Sequence, residues 1–371
     1  MASERRRRSP VVWLVLAALL LAGGAWLMRG AEPPPHVSPQ QVNLPTYMSR
    51  DEKRRSEERR TWVAPVIDAG VAVQEPARPR DPVMALMPAE VKRGVVVAEF
   101  NAIMNSELAP KMTECLFGDG EGGGFLGELR DAGLDPTTKI DRVAMIDNSM
   151  VVTGDFRNAQ WKKFLSQDPV TKDYGKQGQI HEITIADGGT ESFATWGGTM
   201  FIAGENEEDL RRVLDRLEGS GPPVTNPVLD ESMAYGELYG VMPADPIARM
   251  VEKSDPRLAD LVRQSASQLQ LHMDVGHDVG MVADIAPSNA ASSDELRRSL
   301  GAALSVARMK AVAEGKKDEA ELLDMARVHP AENGGGFRLE AGLPHDFMVK
   351  ALDECIANRK REREQPADAG P

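Results

Sequence analysis

The sequence predicts an α+β fold with mainly antiparallel sheets, preceded by a transmembrane helix and a disordered tether. Three observations support this prediction. Apolar and polar residues alternate in paired runs, which is typical of β-hairpins, and elsewhere apolar residues recur every three or four positions, which is typical of amphipathic helices. An uninterrupted apolar run lies near the N-terminus. The chain has 371 residues, 42% of them hydrophobic, and is therefore long enough to bury a core.

The apolar run starts at Val11, ends at Met28 and contains no charged residue. As a helix it would be about 27 Å long, enough to cross the hydrocarbon core of a bilayer. Four arginines at positions 5–8 precede it, so residues 1–10 are predicted to be cytoplasmic and the rest of the chain exported. A cleaved secretory signal is the alternative, with its cleavage site near residues 22–24. Retention is favoured because the apolar run continues past that site.

Residues 29–89 are predicted to form the tether, since they are rich in proline and charge and carry few periodic apolar residues. As a coil this segment would span about 40 Å, and as an extended polyproline helix about 180 Å. The tether would therefore hold the body well away from the membrane.

The exported part of the chain is acidic. Residues 1–60 contain 11 Lys or Arg and 6 Asp or Glu, a net charge of +5. Since the whole chain carries −13, the remaining residues carry −18. Phosphate backbones and anionic membrane surfaces repel such a body, which argues against a nucleic-acid partner.

Cys115 and Cys355 are the only two cysteines, and each belongs to the same apolar helical pattern. The two patterns consist of Leu108, Met112, Cys115 and Leu116, and of Met348, Leu352, Cys355 and Ile356. In an oxidising compartment the two cysteines are predicted to form a disulfide, which would stabilise the fold by about 5 kcal/mol, less any strain. Two separately buried thiols are the alternative. No CxxC motif indicates redox catalysis or metal binding.

The folded region divides into two predicted units, residues 90–225 and 226–358, followed by a disordered tail at 359–371. The order strand, helix, hairpin, helix, strands, helix occurs in both, and the corresponding hairpins begin near Ile140 and Leu269. This order indicates an internal duplication. Convergent packing within an ordinary α+β fold is the alternative.

Few motifs indicate chemistry. Residues 118–123 match GxGxxG, but they follow a predicted helix, and Asp119 and Glu121 would repel a pyrophosphate, so no nucleotide cofactor is predicted. Signatures of serine hydrolases, phosphate-binding loops and haem attachment are absent from the sequence, and no catalytic residue is assigned.

His272, Asp274, His277 and Asp278 form the one cluster of histidines and carboxylates in the sequence. His272 and Asp274 would share one face of a strand, and His277 and Asp278 would follow in the turn. Together these side chains can offer three or four ligands to a divalent metal. The alternative, which we favour, is that they are polar positions on the solvent face of an amphipathic hairpin.

The whole layout resembles uncharacterised membrane-anchored periplasmic α+β proteins of Gram-negative bacteria. The resemblance covers roughly residues 90–358 and rests on hairpins at 141–156 and 270–285, each followed by a helix. It implies a location in the cell envelope and an α+β fold, and it supplies no functional residues.

We therefore expect a single-pass protein of the bacterial cytoplasmic membrane with a periplasmic body. It would contact the lipid bilayer through residues 11–28 and bind or scaffold an envelope protein without catalysis. One alternative is a periplasmic hydrolase or metal-dependent enzyme with a site near His272 and Asp274. The other is a soluble binding protein, released to the periplasm after signal cleavage.

Overall fold

A computed structural model of the protein describes residues 42–61, 80–117, 133, 135–160, 168–184, 189–221, 224–252, 255–331 and 336–364. The predicted membrane span from Val11 to Met28 and the glycine-rich motif at 118–123 lie outside these residues. Within the described ranges, no helix combines the length and the apolar character that a membrane span requires.

The described chain is α+β, as predicted. Its strands are β1 (Val95–Ala98), β2 (Ile140–Ile146), β3 (Ser149–Gly154), β4 (Val170–Tyr174), β5 (Gly178–Thr184), β6 (Thr190–Trp196), β7 (Met200–Ala203), β8 (Leu238–Pro243), β9 (Ala266–Asp274), β10 (Val279–Pro287), β11 (Arg327–Pro330) and β12 (Phe337–Leu343). Its α-helices are α1 (Arg50–Glu58), α2 (Phe100–Met104), α3 (Ala109–Phe117), α4 (Pro136–Lys139), α5 (Glu207–Glu218), α6 (Ala244–Val251), α7 (Pro256–Ser265), α8 (Ala290–Ala313), α9 (Lys317–Asp324) and α10 (His345–Glu364).

These strands form one 12-stranded sheet in the order β11-β12-β10-β9-β8-β1-β2-β3-β7-β6-β5-β4. Its neighbouring strands pair antiparallel. The centre is the pair β1–β8, in which Val95 lies opposite Val241 and Ala98 opposite Leu238. Because β1 opens the first predicted unit and β8 the second, the two units share a continuous sheet.

Outward from that central pair, the strand order is the same on both sides. One side runs β1, β2, β3, β7, β6, and the other runs β8, β9, β10, β12, β11. In each unit the first three strands lie side by side in chain order. The last strand along the chain, β7 or β12, pairs with the third strand, and the strand that precedes it in the chain, β6 or β11, lies on its outer side. The hairpin β4–β5 extends the first side only.

The packed body begins before residue 90, in contrast to the predicted tether. Ser49 and Glu52 form a capping box at the start of α1, and Glu52 Oε1 also accepts a hydrogen bond from the Gly236 N–H at 2.5 Å. The backbone at Asn43 crosses β10 so closely that a Cβ on Gly280 would lie 2.1 Å from the Asn43 carbonyl oxygen. Residues 42–61 therefore lie against the sheet.

A second part of the predicted tether supplies core residues. Val83, Leu86 and Met87 are buried together with residues of β1, β2 and β3. Arg216 of α5 donates a hydrogen bond to the Leu86 carbonyl at 2.7 Å. The sequence did not indicate that this segment is packed. Its apolar run is short and flanked by prolines, so it shows neither a helical nor a strand periodicity.

Helix α5 has the boundaries that its sequence indicates. The Asn206 side chain accepts a hydrogen bond from the Asp209 N–H at the start, and Gly219 ends the helix in the left-handed conformation with φ 77°. This is the cap geometry that asparagine and glycine favour. Its buried apolar residues, Leu210, Val213, Leu214 and Leu217, pack into the core of the first unit.

The predicted disulfide is confirmed. Cys115 on α3 and Cys355 on α10 are bonded, with their Cα atoms 5.6 Å apart and 240 positions apart in sequence. Leu108, Met273 and Leu352 surround this junction with apolar side chains. Helix α10 continues to Glu364, so residues 359–364, predicted to be part of the disordered tail, are helical.

Two local predictions differ from the structure, and one strand was not predicted. The sequence predicts a strand at 234–239, whereas the strand in this region, β8, starts at Leu238. The sequence Ser292-x-x-Glu295 predicts a capping box at the start of α8. This prediction is wrong, because the N-cap is Asn289, whose side chain accepts from the Ala291 and Ser292 N–H groups. Strand β4 was not predicted, because its residues are mostly exposed and carry no alternating pattern.

A buried ion pair fastens the N-terminal segment to the centre of the sheet. Arg142 of β2 donates to both carboxylate oxygens of Asp81, at 2.7 and 2.8 Å, and both residues are 2% exposed. Burial would lower the pKa of Arg142, but the Asp81 carboxylate outweighs it and the pKa is raised. The guanidinium is therefore charged and depends on Asp81 for compensation.

Arg59 and Glu99 continue the network. Arg59 contacts Glu99 Oε2 at 2.6 Å and Asp141 at 2.8 Å, and the Tyr239 hydroxyl donates to Glu99 Oε1 at 3.0 Å. Segments on both sides of residues 62–79 thus contribute a charged side chain to the same part of the sheet.

Replacement of Asp81 tests this network. We expect Asp81→Ala to lower the free energy of unfolding by about 3–5 kcal/mol, because it leaves the Arg142 guanidinium buried without a counter-charge. Urea unfolding followed by tryptophan fluorescence measures the change. As a control, Asp51→Ala removes a partner of the exposed Asp51–Arg54 pair and should leave the urea midpoint unchanged. Equal midpoints for both variants would contradict the assigned role of Asp81.

Candidate functional site

The four predicted site residues lie on the hairpin β9–β10, and the structure separates them. His272 is 0% exposed and stacks on Tyr235, with ring centroids 3.7 Å apart. Its Nδ1 donates to the Tyr235 carbonyl at 3.1 Å, and its Nε2 lies 2.8 Å from the Gln270 amide nitrogen. Both ring nitrogens are thus engaged within the fold, and burial lowers the pKa of the imidazole.

Asp274 pairs with a carboxylate that the sequence did not single out. Glu237 Oε2 accepts a hydrogen bond from the Val275 N–H at 2.9 Å, and Asp274 Oδ1 accepts one from the Gly276 N–H at 3.0 Å. Burial, and then the hydrogen bond with Asp274, raise the pKa of Glu237 to about 7. A proton shared between the two carboxyl groups relieves their repulsion.

His277 lies in a different group, which we call the turn cluster: Glu107, His277 and His345. His277 Nδ1 lies 2.9 Å from Glu107 Oε2, and the rings of His277 and His345 are parallel with centroids 4.4 Å apart. His345 Nδ1 lies 2.9 Å from the His277 carbonyl oxygen. Asp278, the fourth predicted site residue, accepts a hydrogen bond from the His345 N–H at 2.9 Å.

Three elements place the turn cluster. Glu107 lies between α2 and α3, His277 lies in the β9–β10 turn, and His345 is the first residue of α10. The disulfide joins α3, which follows Glu107, to α10, which begins at His345. Sequence reasoning missed Glu107 and His345, because neither is near the hairpin in sequence and neither belongs to a spaced motif.

Hydrogen bonding dominates the electrostatics of the turn cluster. The Glu107 carboxylate raises the pKa of His277, chiefly through their hydrogen bond, and the same bond lowers the pKa of Glu107. Both side chains are exposed, at 62% for His277 and 68% for Glu107, so water screens their attraction. In the described part of the chain, this is the one group of three or more His, Cys, Asp or Glu whose ligand atoms lie within 4.8 Å of one another.

A second surface feature lies on α8. The first turns of this helix are buried at Ser293 and Leu296. Its later part contacts α9, and Ala311 in that part is buried. Three large apolar side chains face solvent on that later part. They are Val306, Met309 and Val312, with exposures of 59%, 64% and 62%.

The exposed residues follow a helical seam, which we call the outer stripe: Ala302, Val306, Met309, Val312 and Ala313. The spacing of 302, 306, 309 and 313 is four, three and four residues, the a/d spacing of a coiled coil. Ala311, on the opposite side of this seam, is the residue buried against α9. The stripe therefore points away from the body.

Comparison of the chain with protein-family models, with curated proteins and with solved structures finds no match. The fold and its surfaces define an α+β protein with a single large antiparallel sheet, a histidine-carboxylate cluster at a hairpin turn and an exposed apolar helical stripe.

The raised pKa of Glu237 gives a pH dependence with a definite sign. In the folded state Glu237 holds its proton up to a pH of about 7, whereas the ordinary pKa of a glutamate side chain is 4.5. The folded state therefore binds more protons between these values, and this contribution to stability is lost as the pH rises through them. The Glu237→Gln variant stays neutral, so its advantage over the wild type should grow from pH 5 to pH 8.

Thermal unfolding at both pH values measures this advantage. Glu208→Gln, at an exposed position on α5, is the matched control and should follow the wild type at each pH. A constant difference between Glu237→Gln and the wild type from pH 5 to pH 8 would show that Glu237 does not titrate in this range.

Proposed function

We propose that the protein is a membrane-tethered envelope protein that binds a partner through the outer stripe of α8 and acts without catalysis. The observation that carries this proposal is the stripe. Of the six large apolar side chains that are exposed in the described residues, three lie on this one helix surface. Clustered exposed apolar residues mark interaction sites more often than isolated ones do.

The stripe favours a helix as its partner. Side chains at a/d spacing pack into the holes of a facing helix that carries the same spacing. The opposite side of α8 is already occupied by α9, and the stripe is the part of the helix that has room for another element.

The charge around the outer stripe indicates which kind of partner helix it would bind. Residues 301–317 contain four basic residues and one acidic residue, so this part of an otherwise acidic body is locally positive. Pairing of two copies of α8 would bring these positive segments together. We therefore propose an amphipathic helix of another envelope protein, with an apolar stripe and acidic flanks that face Lys310.

The proposed location rests on the sequence and on the disulfide. Disulfides form and persist in oxidising compartments such as the periplasm, and the bond between Cys115 and Cys355 suits that setting. The apolar run from Val11 to Met28 with its basic flank would supply the anchor and the orientation. A soluble periplasmic form after signal cleavage is the alternative.

We also propose that the body arose by duplication. The strand order that the two units share on either side of the β1–β8 pair supports this origin. The helix predicted after the first hairpin, at 158–166, lies largely outside the described residues, so the comparison rests on the strands.

A hydrolase or metal-dependent site at His272 and Asp274 stays a prediction. The hydrogen bonds at both ring nitrogens of His272 count against it, since a ligand or general base needs a free nitrogen.

Site-specific photocrosslinking in cells tests the partner. We expect a Met309→benzoylphenylalanine variant to form an adduct with a heterologous envelope protein, mapped by mass spectrometry to an amphipathic helix with acidic flanks. Adding Val306→Lys should reduce the adduct about tenfold, because it places an unpaired charge in an apolar contact.

The matched control is Met250→benzoylphenylalanine, since Met250 is another exposed methionine, on α6. It should give no such adduct. An adduct of twice the mass of the chain would show self-association and contradict the proposed partner. Equal adducts from positions 250 and 309 would remove the outer stripe as the binding surface.

The anchor has its own test. The intact mass of the protein isolated from membranes should match a chain that retains residues 11–28, and carbonate extraction should leave it in the membrane fraction. Replacing Leu19 and Leu20 with arginine should release the protein, since each central arginine costs roughly 2.5–3.5 kcal/mol of insertion free energy. A mature N-terminus near residue 25 would support the cleaved, soluble alternative.

A further inference from the structure

We propose that the turn cluster, Glu107, His277 and His345, binds one divalent transition-metal ion of the Zn²⁺ class. The three residues come from separate segments of the chain, and their ligand atoms lie within 4.8 Å of one another. Two imidazoles and one carboxylate are a ligand set that zinc accepts, with a fourth position left for water or for a group from a partner.

The hydrogen bond of His345 leaves its metal-binding nitrogen free. His345 Nδ1 faces the His277 carbonyl oxygen, which only accepts, so Nδ1 carries the proton and Nε2 keeps its lone pair in the neutral ring. Metal-ligating histidines commonly have this arrangement, in which a carbonyl orients the ring through the second nitrogen. His277 Nδ1 faces the Glu107 carboxylate, which is itself a proposed ligand, so an ion that binds both side chains displaces this hydrogen bond.

Binding requires a local movement that the exposed residues permit. One ion cannot lie in the planes of two parallel stacked rings at once, so one ring must turn. His345 is fixed by its ring contact to the His277 carbonyl oxygen and by the backbone hydrogen bond to Asp278. His277 and Glu107 are more than half exposed and can rotate to meet the ion.

Neighbouring charges favour a cation. Asp278 and Asp346 both act electrostatically on His277, and together with Glu107 they bring three carboxylates to the cluster. An ion bound there would compensate this negative charge. It would also join the α2–α3 loop, the β9–β10 turn and the start of α10, adding a second link to the elements that the disulfide connects.

Calorimetric titration of the full-length protein in detergent tests the site. The protein is prepared without a polyhistidine tag, with its disulfide intact, and is stripped of metal with a chelator. Titration with ZnCl₂ at pH 7.5 should show one ion per chain. His277→Ala and His345→Ala should each weaken binding at least tenfold, and Glu107→Gln should weaken it to a smaller degree.

His329→Ala is the matched control, since His329 is another exposed histidine beside a glutamate, Glu340. It should bind zinc as the wild type does. Stoichiometric binding that survives both His277→Ala and His345→Ala, or no binding by the wild type at micromolar zinc, would overturn the proposal. So would an equal loss in the His329→Ala variant.

A spectroscopic measurement makes the result independent of variant folding. In the wild-type protein, zinc should shift the ring-nitrogen resonances of His277 and His345 and leave those of His329 in place. Shifts confined to other histidines would overturn the assignment. Neither measurement involves the outer stripe, so the metal site and the proposed partner can fail separately.

Discussion

The close pairing of β1 with β8 is the constraint on which the rest of the fold depends. At Gly240 the strands approach so closely that a Cβ would lie 2.2 Å from the Val95 carbonyl oxygen. A side chain there would force the strands apart at the point where the two units join. Because each unit adds its strands outward from this pair, its register fixes the position of both halves of the sheet.

The buried network next to this pair decides where the N-terminal segment lies. Arg142 has its counter-charge on Asp81, and Glu99 has one on Arg59, so detaching the segment would leave charges buried without partners. The chain is thus held on the body from residue 42. A chain of 13 residues such as 29–41 can span at most about 45 Å, so the body would stay much closer to the predicted anchor than a free 61-residue tether would allow.

Local patterns predicted the elements, and long-range contacts decided the rest. Residue periodicity and capping residues predicted the hairpins at β2–β3 and β9–β10 and helix α5. The presence of only two cysteines, each in an apolar helical pattern, predicted the disulfide. The pairing of β1 with β8 joins residues 140 to 146 positions apart, and no local pattern specifies it. For the same reason His277 could be singled out from the sequence but its partners Glu107 and His345 could not.

The small area of the outer stripe is consistent with the proposed membrane tether. Burying Val306, Met309 and Val312, which are already about 40% covered, would contribute roughly 1–2 kcal/mol each. Association costs roughly 4–15 kcal/mol in lost translational and rotational freedom, so the stripe alone would bind weakly. The proposed confinement to one membrane would replace free diffusion with a local concentration that can reach the millimolar range. A partner in the same membrane can therefore be held by an interface too small to capture a soluble one.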